Sequence, residues 1–140
     1  PERLLSVEFR HRGWFESAAA TDATLAFERE LGVVHTVVDA PQGFDNSVPA
    51  VWACPHPDLT LLRLHGRNAA TWNASGAASS GRFQYEYSEA ELAELARRFQ
   101  ELARQSGQAH AVFNTNFEDQ GMRNAAAFAA ALGGGQNRLG

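Results

Sequence analysis

Four strand-like segments alternate with helical ones, and each strand closes on a cluster of polar residues. The clusters are Glu8-Phe9-Arg10-His11, Val38-Asp39, Arg63-Leu64-His65-Gly66-Arg67-Asn68 and Asn114-Thr115-Asn116. Alternation of strands and helices implies right-handed crossovers and a parallel sheet. Parallel α/β folds place ligands at the carboxyl ends of their strands. Four polar tips in succession therefore point to one shared site rather than to four separate surface features.

The pattern along the chain predicts the elements. Leu4 to Phe9 reads as a strand. Thr21-Asp22 can cap a helix carrying Leu25, Phe27 and Leu31 that stops at Gly32. Val33 to Val38 is β-branched and nearly continuous, the pattern of a strand buried on both faces. Residues 40–57 hold Pro41, Pro49, Pro55 and Pro57, which argues against a regular helix there. Leu59 to Leu64 is the third strand. Residues 66–84 are rich in Gly, Ala, Ser and Asn and read as a long mobile loop. Ser88 and Glu91 form a capping box before a helix with Leu92, Leu95, Phe99 and Leu102, ended by Gly107. Ala109 to Phe113 is the last strand. Gln120 to Leu132 is an Ala-rich helix, and residues 133–140 form a flexible polar tail. The fold class is α/β with parallel-stranded (β/α) units. The 140 residues suffice for an open four-stranded sheet or for half of a TIM-type barrel, which needs eight strands and roughly 250 residues.

Composition excludes several function classes. The net charge of −4 supplies no global basic field for nucleic acid or anionic lipid. All 12 basic residues are arginine, whose planar fork binds phosphate or carboxylate bidentately. The lone Cys54 excludes an internal disulfide and fits a reducing cytoplasm. No run approaches the roughly 18 apolar residues of a membrane helix, so no membrane role is expected. The chain opens Pro1-Glu2-Arg3 directly before a strand, which has the look of a cut rather than a natural beginning.

The tips carry the candidate chemistry. Glu8 and Arg10 lie two apart on a strand and so point to one side, with His11 and Trp14 following. A structural ion pair accounts for Glu8 and Arg10 equally well. Arg63, His65 and Arg67 alternate and are expected to project to one face as an anion clamp, with Gly66 letting a ligand approach and Asn68 opening the loop. A solvated strand end is the bland alternative. Asn114 and Asn116 share a face and suit hydroxyl, phosphate or base-edge recognition, or serve a turn. Asp39 would sit near the same mouth as a base, or begin an Asx turn. Glu8, His11, Asp39 and His65 would meet if the tips converge, but no HExxH or paired cysteine supports a metal site, and none is assigned. No G-x-S-x-G elbow, G-x-G-x-x-G or P-loop is present, so the motifs name no cofactor. His35 and His110, inside apolar strands, read as packed structural residues. Trp52, Tyr85 and Tyr87 could stack on a ring or base, though core or lid packing is their more usual use.

These residues carry a family resemblance. Val7-Glu8-Phe9-Arg10-His11 with Trp14-Phe15 resembles the E-[FL]-R-H-x-[SG]-W signature of the YecE-like domain of unknown function. Val38-Asp39-Ala40-Pro41, Arg63-Leu64-His65-Gly66-Arg67-Asn68 with Trp72, Tyr85 and Tyr87 before Ser88, and Phe113-Asn114-Thr115-Asn116 with Asn124-Ala125 are similar to its later elements, in the same order. The resemblance implies a cytoplasmic TIM-type barrel, widespread in bacteria, of which this chain is the carboxyl-terminal half: residues 1–132 as (β/α) units, 133–140 as tail. It implies no reaction. The two raw sheet edges then need the missing amino-terminal half or a second copy.

Two functions follow as expectations. In the first, the protein binds or processes a phosphate-bearing small molecule or nucleic acid, as an enzyme of the hydrolase or lyase type. Arg10, Arg63 and Arg67 hold the anion, Glu8, His65 or Asp39 moves a proton, and His11, Trp14, Asn68, Asn114 and Asn116 position the ligand. In the second, the chain is a non-catalytic binding module for a small anion or a macromolecular partner.

Overall fold

A computed structural model describes residues 3–74 and 79–134. The first strand, β1, is only Ser6–Val7, shorter than the expected Leu4 to Phe9. As an edge strand it has one partner, and Leu4 and Leu5 stay 46% and 66% exposed. A 3₁₀ turn at Arg12–Phe15 leads into helix α1, Ala18–Leu31. That helix starts a turn before Thr21. Ser17 is its cap, its hydroxyl accepting from the Ala20 N–H at 3.1 Å, because Ala18 to Ala20 are themselves strong helix formers. Gly32 ends it at φ +65°, as expected.

Strand β2, Val34–Asp39, is buried at every position, as its unbroken apolar pattern predicts. No helix follows it. The proline-bearing residues 40–58 run in extended and turn conformations to β3, Leu59–Leu64. A second 3₁₀ turn spans Ser79–Phe83 inside the segment expected to be a mobile loop. Where described, that segment is tied down: Trp72 is 2% exposed and the Thr71 hydroxyl donates to the Gly81 carbonyl at 2.9 Å. Residues 75–78 of it lie outside the described range. Helix α2, Glu89–Ala103, opens on the Ser88–Glu91 capping box read from the sequence, and it stops at Arg104, ahead of Gly107. Strand β4 is Gln108–Phe113, and helix α3 runs Gln120–Gly134, two residues past Leu132. The rest of the expected tail lies outside the described residues.

All pairings are parallel and the order is β1-β2-β3-β4, with no reversal. The sheet is open, with β1 and β4 at its edges. One face packs on helices: Val37, Leu62 and Leu64 meet Leu92, Leu95, Phe99 and Leu102 of α2 and Phe128 of α3. Each such fully buried side chain contributes roughly 2 kcal/mol through burial. The opposite face is covered in part by loop residues, with Phe15, Val48 and Trp72 clustered around Val38 and Ala40. Register places Val38, Arg63 and Val112 side by side on this second face. Over β4 it is bare. Val112 is 43% exposed and His110, expected to be packed, is exposed as well, because an edge strand has no neighbour to roof it.

Gly66 turns the chain off the end of β3. Its φ is +84°, and an added Cβ would stand 2.5 Å from the Tyr85 Cβ. Backbone strain and overlap act together there. We expect Gly66→Ala to lower stability by more than about 2 kcal/mol in urea unfolding; an unchanged midpoint would show that the turn relaxes freely.

Candidate functional site

Three of the four strand ends meet on the face away from the helices. Glu8, just past β1, lies with its carboxylate 12% exposed among three partners. Arg63 Nη1 donates to its Oε2 at 2.7 Å, and Arg10 Nε and His65 Nε2 reach its Oε1 at 3.0 and 2.9 Å. Arg63 takes this face because Leu62 and Leu64, its neighbours on β3, face the helices. His65 is 1% exposed. The Asn114 amide sits 3.0 Å from its Nδ1, so both ring nitrogens are occupied. The backbone holds these groups in register, with the His65 N–H on the Asp39 carbonyl and the Asn114 N–H on the Leu64 carbonyl, each at 2.8 Å. Phe83 packs beside the His65 ring, at a centroid distance of 5.6 Å.

The fourth tip goes to the other side. Asp39 follows Val37 onto the helix face, buried to 6%. Arg67 joins it there rather than standing beside Arg63 and His65 as the alternation predicts, because Gly66 breaks the extended backbone between them. Arg67 Nε and Nη2 reach Asp39 Oδ1 at 3.2 and 2.8 Å, and its Nη1 donates to Glu91 at 2.9 Å. Tyr87 donates its hydroxyl to Asp39 Oδ2 at 2.6 Å and accepts the Gly66 N–H at 2.9 Å. Asn124 of α3 grips both backbone groups of Tyr87. The Tyr85 hydroxyl donates to Glu91. Asp39 and Arg67 thus latch β2, the end of β3 and α2 together.

The remaining candidates separate. His11 Nδ1 accepts the Gly13 N–H at 3.1 Å, capping the first 3₁₀ turn, and the residue is exposed. Trp14 is exposed beside Phe9. Asn68 clips the loop by donating to the Gln84 carbonyl at 2.8 Å. Asn116 is exposed and stands outside the network that holds Asn114. His35 is packed, as expected: its ring lies between Glu28 and the Val51 carbonyl, 3.0 Å from each. Sequence reasoning missed Tyr87 as a hub and Glu91 as more than a cap. The spacing of Tyr85 and Tyr87 just before a capping box was the available signal. Among the described residues, no three His, Cys, Asp or Glu side chains gather as a metal site.

Electrostatics define what the inner cluster can do. Burial works to raise the Glu8 pKa, but the hydrogen bond and charge of the His65 ring, the charge of Arg10 and the Arg63 hydrogen bond outweigh it and lower it to about 2. Glu8 is therefore a permanent anion near neutrality and a weak base. On the outer side, burial and the Glu91 carboxylate push the Tyr85 hydroxyl up to about 12, and burial with the Asp39 charge pushes Tyr87 up further. Burial also disfavours the Glu91 anion, but the Ser88 backbone, Tyr85 and Arg67 together hold its pKa below the usual range. The inner cluster keeps two guanidiniums on one carboxylate, with Arg63 and Arg10 side chains 30% and 55% exposed and N–H groups left over. A fixed pair of forks of this kind suits an anion of phosphate geometry.

Comparison with known proteins supplies the context. The family model described as "Protein of unknown function DUF72" matches residues 1–139. The UPF0759 protein YunF of Bacillus subtilis (strain 168) is 34% identical over 114 residues, which are 79% of this chain and 40% of that protein. A DUF72 family protein of Enterococcus faecalis V583 has a crystal structure that superposes with a TM-score of 0.86 at 28% identity, over 94% of this chain and 48% of its own. Another, from Thermotoga maritima MSB8, gives a TM-score of 0.81 at 32% identity, over 94% and 46%. The chain spans half or less of the length of these relatives.

Glu8 gives the fold a pH dependence. Its folded pKa of about 2 lies below the ordinary 4.5, so its stabilisation is complete above about 4.5 and drains away as pH falls toward 2. Urea midpoints measured from pH 6 to 2.5 are expected to fall through this window, and the fall to be shallower in Glu8→Gln. Parallel curves for the two proteins would remove Glu8 as the cause.

Proposed function

The chain belongs to the DUF72 family of proteins of unknown function, and from that premise we propose that its inner cluster binds a phosphate-bearing ligand. The observation that carries this reading is the pair of guanidiniums, Arg10 and Arg63, held on the one carboxylate of Glu8 while their side chains stay 55% and 30% exposed. A free arginine pair would repel itself apart; Glu8 offsets that repulsion and leaves one net positive charge for an incoming anion. A small phosphate ester and the backbone of a nucleic acid both fit this chemistry.

Between catalysis and plain binding, the geometry favours binding. The groups expected to move protons are committed elsewhere: Glu8 by its low pKa, His65 by partners on both nitrogens, Asp39 by Arg67 and Tyr87. A hydrolase or lyase role for Glu8, His65 or Asp39 would require one of them to be released. Under the binding reading, Asp39 and Arg67 serve as a latch, and Asn68 and Asn114 position their neighbours.

We further infer that these units form the carboxyl-terminal half of a TIM-type barrel, and that the YecE-like motif run is this family's own pattern. Strand order without reversal and helices confined to one face support the half-barrel. The uncovered apolar groups at the two edges, Leu4 and Leu5 beside β1 and Val112 on β4, support pairing with an amino-terminal half or with a second copy. If copies of this chain pair with one another, the 140 residues alone sediment as a dimer or larger; a monodisperse monomer removes self-pairing and leaves the other half as the cover.

Calorimetric titration with inorganic phosphate and pyrophosphate tests the site. Arg63→Ala is expected to weaken binding by at least about tenfold. Arg67→Lys, altered on the other side of the sheet, is expected to lower the melting temperature and leave affinity unchanged. Equal losses in the two variants, or no anion binding by the parent protein, would end the reading. Turnover of a phosphate ester that is lost in His65→Gln while binding survives would move the protein to the enzymes.

A further inference from the structure

Glu28 and His35 form a buried pair apart from the inner cluster. Glu28 of α1 is 0% exposed and His35 of β2 is 3% exposed. Glu28 Oε1 stands 3.0 Å from the ring Nδ1, and the Val51 carbonyl stands 3.0 Å from Nε2. That carbonyl also accepts the Ala53 N–H at 3.0 Å. The second carboxylate oxygen, Oε2, is buried and has no partner among the described residues. Val7 of β1 stands opposite His35 in register and Phe15 lies edge-on to its ring, so neither brings a charge to the pair. Among the described residues, no other ionisable side chain bonds to Glu28 or His35. A neutral imidazole offers one donor and one acceptor, whereas both of its partners here are acceptors when Glu28 is ionised. A carbonyl oxygen never donates. Both contacts are hydrogen bonds only if the pair holds one proton more than a neutral ring beside a carboxylate.

We propose that Glu28 and His35 share that extra proton, and that its loss as pH rises unfastens the 40–58 segment from β2. With the proton in place, on Nδ1 or on Oε1, the ring donates from Nε2 to the Val51 carbonyl. Without it, one N–H remains for two acceptors. A buried carboxylate whose other oxygen is unpaired costs more to leave bare than a carbonyl that keeps the Ala53 N–H. The remaining hydrogen therefore goes to Nδ1, and Val51 is released. The step is one proton lost to solvent and a change of tautomer, so only bonds to hydrogen change. Val51 packs with Phe15, Val38 and Val48, while Asn46, Ser47 and Val48 line one small cavity with Glu8, Arg10 and His65. Release at Val51 thus loosens a wall of the inner cluster. The shared proton is independent of the anion reading, and only an effect on affinity rests on it.

Nitrogen NMR of the whole chain reads the proton directly. Long-range proton–nitrogen spectra from about pH 5 to about pH 10, with the Glu28 carboxyl carbon shift, follow both ring nitrogens of His35. At the acid end Nε2 is expected to carry hydrogen. Nδ1 there either carries hydrogen too or accepts from a protonated Glu28, and both results support the shared proton. At the alkaline end Nε2 is expected to be bare and Nδ1 to keep its hydrogen. Amide exchange at Ala53, corrected for its intrinsic pH dependence, is expected to quicken about tenfold across the same transition, the equivalent of one lost hydrogen bond. Glu28→Gln sets an amide N–H against Nδ1 and leaves the ring donating to Val51 at every pH, so its Ala53 exchange is expected to stay flat. A ring that keeps one state throughout, or whose Nε2 is bare at the acid end, overturns the proposal, and the parent protein shows this whether or not the variant folds. Ala53 exchange that ignores the transition overturns the release of the segment. No anion enters either measurement, so a failure here leaves the phosphate site standing, and a failure of the phosphate titration leaves the proton standing.

Discussion

One carboxylate organises the side of this sheet that faces away from the helices. Glu8 sits at the end of the shortest strand and accepts from Arg63, His65 and Arg10. Through His65 it is coupled to Asn114 beyond β4. Burying a charge is costly unless it is paired and hydrogen-bonded, and Glu8 meets that requirement with donors from three directions. A two-residue strand at a sheet edge has few backbone bonds of its own, so this cluster also ties β1 to the centre of the sheet.

The same logic, repeated on the opposite face, explains why the polar tips do not form a single mouth. Asp39 is buried against the helices and takes its charge compensation from Arg67 and its last acceptor site from the Tyr87 hydroxyl. The result is two networks back to back, one around Glu8 and one around Asp39, separated by the strands themselves. The Glu8 network leaves arginine donors unspent. In the Asp39 network, Arg67 spends Nε, Nη1 and Nη2 on carboxylates and Tyr87 is held in place by α3, which makes that side a brace for the strand end that carries His65. The two networks thus occupy opposite faces, and Gly66 is the pivot between them.

Rigid aromatic support gives the inner side its second character. Trp72, buried and donating its indole N–H to Asn46 at 3.0 Å, packs edge-on against Phe83, which lies beside the His65 ring. Phe9 packs between Trp14 and Phe15.

The sequence by itself determined the local structure. Apolar alternation and β-branching placed β2, β3 and β4 to within a residue or so, Ser88 and Glu91 marked the start of α2, and the prolines after Ala40 excluded a helix there. These are interactions between residues a few positions apart, and they leave their period in the chain. It also named Glu8, Arg63, His65 and Asn114 as residues at the tips. Only the tertiary structure decided how they are shared out. Arg63 meets Glu8 across 55 residues and Arg67 meets Asp39 across 28, and neither separation writes a pattern into the sequence. The alternation of Arg63, His65 and Arg67 predicted one face, but a positive φ at Gly66 sent Arg67 to the other. His110 lay in an apolar strand and still came out exposed, because burial depends on the neighbour that an edge strand lacks. Which face a side chain serves is set by what stands across the sheet, and that is a property of the assembled fold.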